Sequence, residues 1–298
     1  MNKWIRISVL TLVMALLLSL APGVAFATQA EPEGWSLEDL TATQVVVYNT
    51  ATEEYLLEEG FSSGKVFPAS ITKLFTAFVA LQYLDEDTQV TAGNELEKVG
   101  DGSSIAGINR GEILTVSMLV EGLLLPSGND AAYVLATAAG RAIARDPELP
   151  YKTAVKIFVD EMNRTARILG LKDTHFMNPD GYYVGGHYSS LRDLVKIGQL
   201  SMENPVISRY VCIHQDDVTY ISGENRRWDN TNALVDPTSK YYLENACGLK
   251  TGYTGTAGNC LLSAFRYNDT TVIIGVFGCP KEEDRFEDTL QLLNDLLK

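Results

Sequence analysis

Two groups of short apolar strands lie near the ends of this chain, and a mainly helical block separates them. Gln44-Val-Val-Val-Tyr48 and Glu54-Tyr-Leu-Leu57 flank a short polar stretch and read as a hairpin. Gly248 to Gly252, Asn259 to Phe265 and Thr271 to Phe277 are short runs separated by turns, the last at Asn268-Asp269. Between the groups the period changes from two to 3.6. Ile71, Leu74, Phe75 and Phe78 follow the i, i+3, i+4, i+7 spacing of a buried helix face. Further helices are expected over Leu114 to Leu125, ended by Pro126, over Asp130 to Ala144, and over Val155 to Leu169, closed by Gly170. A final amphipathic helix carries Phe286, Leu290, Leu293 and Leu297. The simplest packing joins both strand groups in one antiparallel sheet, with the helical block (about 85–200) as a sub-domain beside it and a cleft between the two.

The first 27 residues stand outside that plan. Lys3 and Arg6 precede an almost wholly apolar run from Val9 to Leu20, and Ala25-Phe26-Ala27 fits a small-x-small cleavage site. The run is shorter than the roughly 20 residues a spanning helix needs, so the expectation is a signal peptide and an exported protein of the cell envelope. Residues 28–298 are enough for one large core or a domain with a sub-domain. Without the leader the chain has 22 basic against 38 acidic residues, which argues against nucleic acid or anionic lipid as a partner. Cys212, Cys247, Cys260 and Cys279 form an even set compatible with disulfides. A core of this size does not need them, and Cys260 fits equally well as a buried thiol, so the pairing stays open.

Three strings carry chemistry. Ser70-Ile71-Thr72-Lys73 follows Pro68-Ala69 and opens a helix, so Lys73 lies one turn on, on the same face as Ser70. A neutral Lys73 could take the Ser70 proton, and burial or a second cation such as Lys250 would lower its pKa toward that task. S-x-x-K is a weak signal alone: Ser62-Ser63-Gly64-Lys65 also matches, in a turn with no helix after it. Ser70 alone could equally be an ordinary helix cap. Ser127-Gly128-Asn129 follows Pro126 between two helices, where Ser127 could relay a proton to a leaving amine and Asn129 could hold Lys73 or substrate backbone. Capping would also explain it. Lys250-Thr251-Gly252 falls at a strand end, where Lys250 and the Thr251 hydroxyl could bind a terminal carboxylate while Gly252 admits a ligand close to the backbone. Jointly the strings supply an acylating serine, a proton-transfer group and a cationic carboxylate holder, the set that penicillin-reactive serine enzymes use.

At these residues the chain resembles the serine D-alanyl-D-alanine carboxypeptidases, the low-molecular-weight penicillin-binding proteins. The likeness includes Pro68-Ala-Ser-Ile-Thr-Lys73, Leu125-Pro-Ser-Gly-Asn-Asp-Ala131, Gly248-Leu-Lys-Thr-Gly252, Phe158-Val-Asp-Glu-Met-Asn163 and Phe176-Met-Asn-Pro-Asp-Gly181. The resemblance implies an α/β fold of the α+β type: a five-stranded antiparallel sheet flanked by helices plus a helical sub-domain, as in β-lactamases and transpeptidases. It implies Ser70 as acylated nucleophile, Lys73 as general base and Ser127 as proton relay. Asn129, Lys250, Thr251 and Gly252 would bind substrate, and the backbone N–H groups of Ser70 and Tyr253 would form the oxyanion hole. It implies stem peptides ending in D-Ala-D-Ala as substrate, β-lactams as covalent inhibitors, and no metal or organic cofactor. Two departures stand out. Many relatives have His where Asp180 stands, and many carry a further β-rich domain and a C-terminal membrane anchor, neither of which is expected here.

Other activities fit less well. A class A-like serine β-lactamase would favour Ser-Asp-Asn at the second string, and a non-catalytic wall-binding module would be expected to have lost Ser70 or Lys73. His175, His187 and His214 lack the H-E-x-x-H spacing of a zinc peptidase, and no serine sits in the G-x-S-x-G context of an α/β-hydrolase.

Overall fold

A computed structural model describes Trp35 and residues 37–60, 64–267 and 270–297. The expected leader at 1–27, the serines of the second S-x-x-K match and the expected Asn268-Asp269 turn lie outside the described residues.

Five strands form one antiparallel sheet, and its order unites the two ends of the chain. Strands β1 (Gln44–Asn49) and β2 (Glu54–Glu59) form the expected hairpin. After the ribbon strands β3 (Gln89–Thr91) with β4 (Ile113–Thr115), and β5 (Gln215–Thr219) with β6 (Asn225–Asp229), come β7 (Ala246–Thr254), β8 (Gly258–Tyr267) and β9 (Thr270–Cys279). The sheet runs β2-β1-β9-β8-β7, with Val46 opposite Gly275 and Val47 opposite Ile274 where the two groups meet. Alternate residues face two separate apolar layers. Val46, Leu262 and Ile273 point into one cluster, while Val45, Val47, Ile274 and Val276 join the other. A sheet covered on both faces reads as apolar runs, which is how these strands appear in the sequence.

The first layer is covered by helices α1 (Thr72–Ala80) and α5 (Leu191–Glu203). Helix α7 (Asp284–Leu296) covers the second with Phe286, Leu292 and Leu293. Helices α2 (Val116–Leu124), α3 (Asn129–Ala144), α4 (Tyr151–Ile168) and α6 (Pro205–Val211) complete the helical side. Local chemistry sets several helix starts. The Thr115 hydroxyl accepts from Met118 N–H and the Ser190 hydroxyl from Asp193 N–H, each at 3.2 Å. The helical block differs from expectation in containing the β3–β4 ribbon, whose three-residue strands are too short to show a period. All four cysteines are free, three of them buried.

Candidate active site

Ser70, the candidate nucleophile, stands on a strained turn. Ala69 has φ +48, a left-handed conformation that costs a residue with a Cβ about 1–2 kcal/mol. It turns the chain through a 3-10 segment, Ala69–Ile71, into α1, placing Ser70 at the rim of a cleft and Lys73 beneath it. Lys73 is fully buried, and its ammonium donates to Ser70 Oγ at 2.7 Å and to the Asp180 carbonyl at 2.9 Å. Burial brings its pKa down from the usual lysine range to about 8, against the opposing pull of Asp180 and Asp130. The Asn178-Pro-Asp-Gly181 turn is clamped to α1 at a second point, where Thr76 Oγ1 donates to the Pro179 carbonyl at 2.6 Å.

The second string forms the opposite wall. Ser127 also adopts a left-handed φ, +61, and this bend redirects the chain from α2 into α3. It leaves Ser127 and Asn129 lining the cleft, both almost fully buried. The residue that fixes this wall is the next one. The Asp130 carboxylate accepts from the N–H groups of Ala106 (2.8 Å), Gly107 (2.9 Å), Ile108 (2.9 Å) and Ala131 (2.9 Å). It thereby ties the 104–108 loop to the start of α3, and Asn129 N–H adds a bond to the Ser104 carbonyl at 2.9 Å.

The third wall is β7, whose outer side no other strand pairs among the described residues. Lys250 lies in the middle of this strand rather than at its end, 1% exposed, with its ammonium 3.3 Å from Thr231 Oγ1. The Thr251 hydroxyl shares the same partner. Burial, then Lys73 and Arg285, push the Lys250 pKa well below its ordinary value. Gly252 explains how close this strand comes to Ser70. A Cβ there would stand 3.0 Å from Ala69 Cβ, 3.1 Å from Ser70 N and 3.2 Å from the Pro68 carbonyl oxygen, so glycine lets the β7 backbone lie against the Ser70 turn.

These walls enclose a cleft of about 480 Å³ that brings together Ser70, Ser127, Asn129, Thr251, Gly252 and Tyr253. Lys73 and Lys250 sit behind its surface. Asn129 makes no bond to Lys73; the partners of that ammonium are Ser70 and Asp180. Arg285, from the first turn of α7, also lines the cleft. It is 4% exposed, bonds Glu282 at 2.6 Å, and leaves its Nε buried without a partner. Arg285 on the wall and Lys73 and Lys250 behind it thus gather three buried basic side chains around one pocket, an arrangement suited to an anionic group on a ligand.

Asp130, Thr231, Arg285 and the Asp180 carbonyl are the parts that sequence reasoning missed. Asp130 adjoins the second string and reads there as a cap, while Thr231 and Arg285 lie 19 and 35 residues from Lys250 with no local signal. The three histidines are engaged elsewhere. His187 bonds the Thr72 hydroxyl at 2.9 Å, His175 the Gly186 carbonyl at 2.8 Å, and His214 faces Asp236 at 3.4 Å.

Fold and cleft together are those of the β-lactamase-like DD-peptidases. The Streptomyces K15 DD-transpeptidase superposes with a TM-score of 0.76 at 31% identity, covering 86% of this chain and 97% of that one. Penicillin-binding protein D2 from Listeria monocytogenes, solved in an ampicillin-bound form, superposes with a TM-score of 0.69 at 26% identity, covering 87% and 99%. The family model described as D-alanyl-D-alanine carboxypeptidase, peptidase S11, matches residues 27–281, and the chain belongs to that family. A curated relative, the D-alanyl-D-alanine carboxypeptidase DacF of Bacillus subtilis (strain 168), is 29% identical over 289 residues, 95% of this chain and 68% of its own.

Proposed function

We propose that this protein removes the terminal D-Ala from peptidoglycan stem peptides through an acyl-enzyme on Ser70. The observation that carries the reading is the 2.7 Å bond between Ser70 Oγ and a lysine held in a dry site. With a pKa of about 8, roughly one Lys73 in ten is neutral at pH 7, enough to act as a base without a large energetic penalty.

Neutral Lys73 takes the Ser70 proton as Oγ attacks the carbonyl carbon of the penultimate D-Ala. The developing oxyanion is held by the backbone N–H groups of Ser70 and Tyr253, a reading that the close approach of Gly252 to the Ser70 turn supports. Lys250, Thr251 and Arg285 hold the terminal carboxylate, and Asn129 holds the peptide backbone. As the peptide bond breaks, Ser127 passes a proton to the departing amine of D-Ala and is resupplied from Lys73. Water then attacks the ester and its proton goes to Lys73, which returns it to Ser70 Oγ as the ester bond breaks and the trimmed peptide leaves. A β-lactam follows the first half of this course, with its ring amide opened by Ser70 Oγ and its leaving nitrogen still tethered. The substrate implies action outside the cytoplasmic membrane, in keeping with a cleaved leader. Among the described residues no helix is long and apolar enough to cross a membrane.

Intact mass after incubation with benzylpenicillin tests the reading. A long-lived adduct of the whole antibiotic, absent from Ser70→Ala, together with D-Ala release from a stem-peptide analogue, is the expected result. Rapid antibiotic turnover without an adduct would indicate a β-lactamase, and no reaction would leave only a wall-binding module.

A further inference from the structure

The Asp180 side chain is the one buried group of the cleft to which the acyl-transfer steps assign no task. It is 1% exposed, on a turn fixed to α1 by Lys73 and Thr76 and by the contact of Gly181 with Ala69. Its Oδ1 accepts from Tyr182 N–H at 3.1 Å, while its Oδ2 is buried with no hydrogen-bond partner. An unpaired carboxyl oxygen in a dry site is costly, and such groups call for an explanation. The turn needs only the backbone here: the bond to Lys73 uses the Asp180 carbonyl, and any residue would supply it.

We propose that Asp180 is a positioning residue for acyl transfer, its unpartnered carboxyl acting on Lys73 through the water-poor interior to set how firmly Lys73 holds the proton taken from Ser70. The inference rests on the acyl transfer proposed above. The surrounding charges leave Asp180 as the principal influence of this kind. From α1 comes Lys73 itself; from α3, Asp130 and the Tyr133 phenol; from β7, Lys250; and from α7, Arg285, which faces Lys250. Asp130 has its carboxylate committed to four backbone N–H groups, and it ranks behind Asp180 in its pull on Lys73. Tyr133 feels Asp180 in turn, since the carboxyl adds to burial in holding its phenol protonated. A base that is too weakly basic would take the Ser70 proton poorly, and one too strongly basic would be charged at working pH. The Asp180 carboxyl offsets part of the loss of basicity that burial imposes.

The test is the pH profile of acylation by benzylpenicillin, followed as second-order rate against pH for the wild type and Asp180→Asn. Without the carboxyl, Lys73 loses its proton more readily. The acid limb of the profile should move down by on the order of one pH unit, raising the rate at pH 6 roughly tenfold relative to the plateau. A limb that does not move, with rates merely scaled at every pH, overturns the proposal. So does a folded variant that is never acylated, because loss of a tuning charge leaves Ser70 and Lys73 in contact. Should Asp180→Asn not fold, Asp180→Ser carries the same measurement; if neither folds, the side chain is structural and the proposal fails. A wild type that penicillin does not acylate would instead refute the proposed function.

Discussion

Replacing Gly181 by alanine should damage both stability and acylation, and the size of the loss follows from the close packing at that residue. Gly181 has φ +80, and a Cβ there would lie 1.8 Å from the Ala69 carbonyl oxygen, 2.4 Å from its carbon and 2.9 Å from Thr72 Oγ1. Real Cβ contacts essentially never fall below 3.0 Å, so the turn and the nucleophile segment must separate by more than an ångström. The Lys73 bond to the Asp180 carbonyl, now 2.9 Å, spans that same gap and cannot survive such a shift. Left-handed alanine costs about 1–2 kcal/mol, and a buried bond to a charged group about 1.5–3 kcal/mol. The expected loss is therefore about 2.5–5 kcal/mol. Urea unfolding at unchanged m-value measures it. Because an ångström of misplacement beside a reacting group can cost about 100-fold in rate, penicillin acylation should fall on that scale. Gly185→Ala, four residues on, is the internal control. Nothing lies within 4 Å of its Cβ position and its φ is not in the left-handed region, so it should stay within about 0.5 kcal/mol. If Gly181→Ala matches that control in stability and acylates within twofold of wild type, the account of how the turn holds Lys73 is wrong.

Two further substitutions probe what surrounds the cleft. Asp130→Ala leaves four N–H groups without an acceptor and frees the 104–108 loop, so it should cost about 3–4 kcal/mol in urea unfolding and slow acylation as well. A loss below about 1 kcal/mol would show that the loop is held by something else. Glu121 on α2 is 4% exposed, and burial together with the neighbouring Asp216 carboxyl on β5 pushes its pKa up to about 8. Its folded pKa thus lies above the unfolded one, so the native state binds the extra proton and stability falls as pH rises from about 4.5 to about 8. Glu121→Gln should remove that slope and raise Tm relative to wild type at pH 9 but not at pH 4; an equal difference at both pH values would refute the assignment.

The sheet could be read from the sequence because it is buried on both faces. Strands β1, β8 and β9 show as apolar runs, and only their ends were drawn short. Strand β7 extends from Ala246 to Thr254, whereas its legible part is Gly248 to Gly252, because the residues beyond are small or polar. The β5–β6 ribbon was not legible for the converse reason. Gln215–Thr219 and Asn225–Asp229 each present one buried side chain, Val218 and Trp228, among exposed polar ones, and one residue makes no period.

The candidate site divides differently. Ser70 with Lys73 is a helical i, i+3 relation, and the chemistry of Ser127, Asn129, Lys250 and Thr251 is carried by residue type, so all of these could be named before any contact was known. The bends that aim them could not. Left-handed backbone falls on an alanine before Ser70 and on Ser127 itself, neither a residue that announces it. Such strain persists only where the surroundings enforce it, and here the enforcing contacts are non-local. Gly181 presses on the Ala69 carbonyl from 112 residues away, Gly252 on the same turn from 183, and Asp130 anchors the segment after Ser127 through a loop some 22–24 residues upstream. The functional groups are thus written locally while their aim is written in distant glycines and one capping-type aspartate. A string such as Ser62-Ser63-Gly64-Lys65 can therefore repeat the residue types of Ser70-Ile71-Thr72-Lys73, since residue types alone do not make a site.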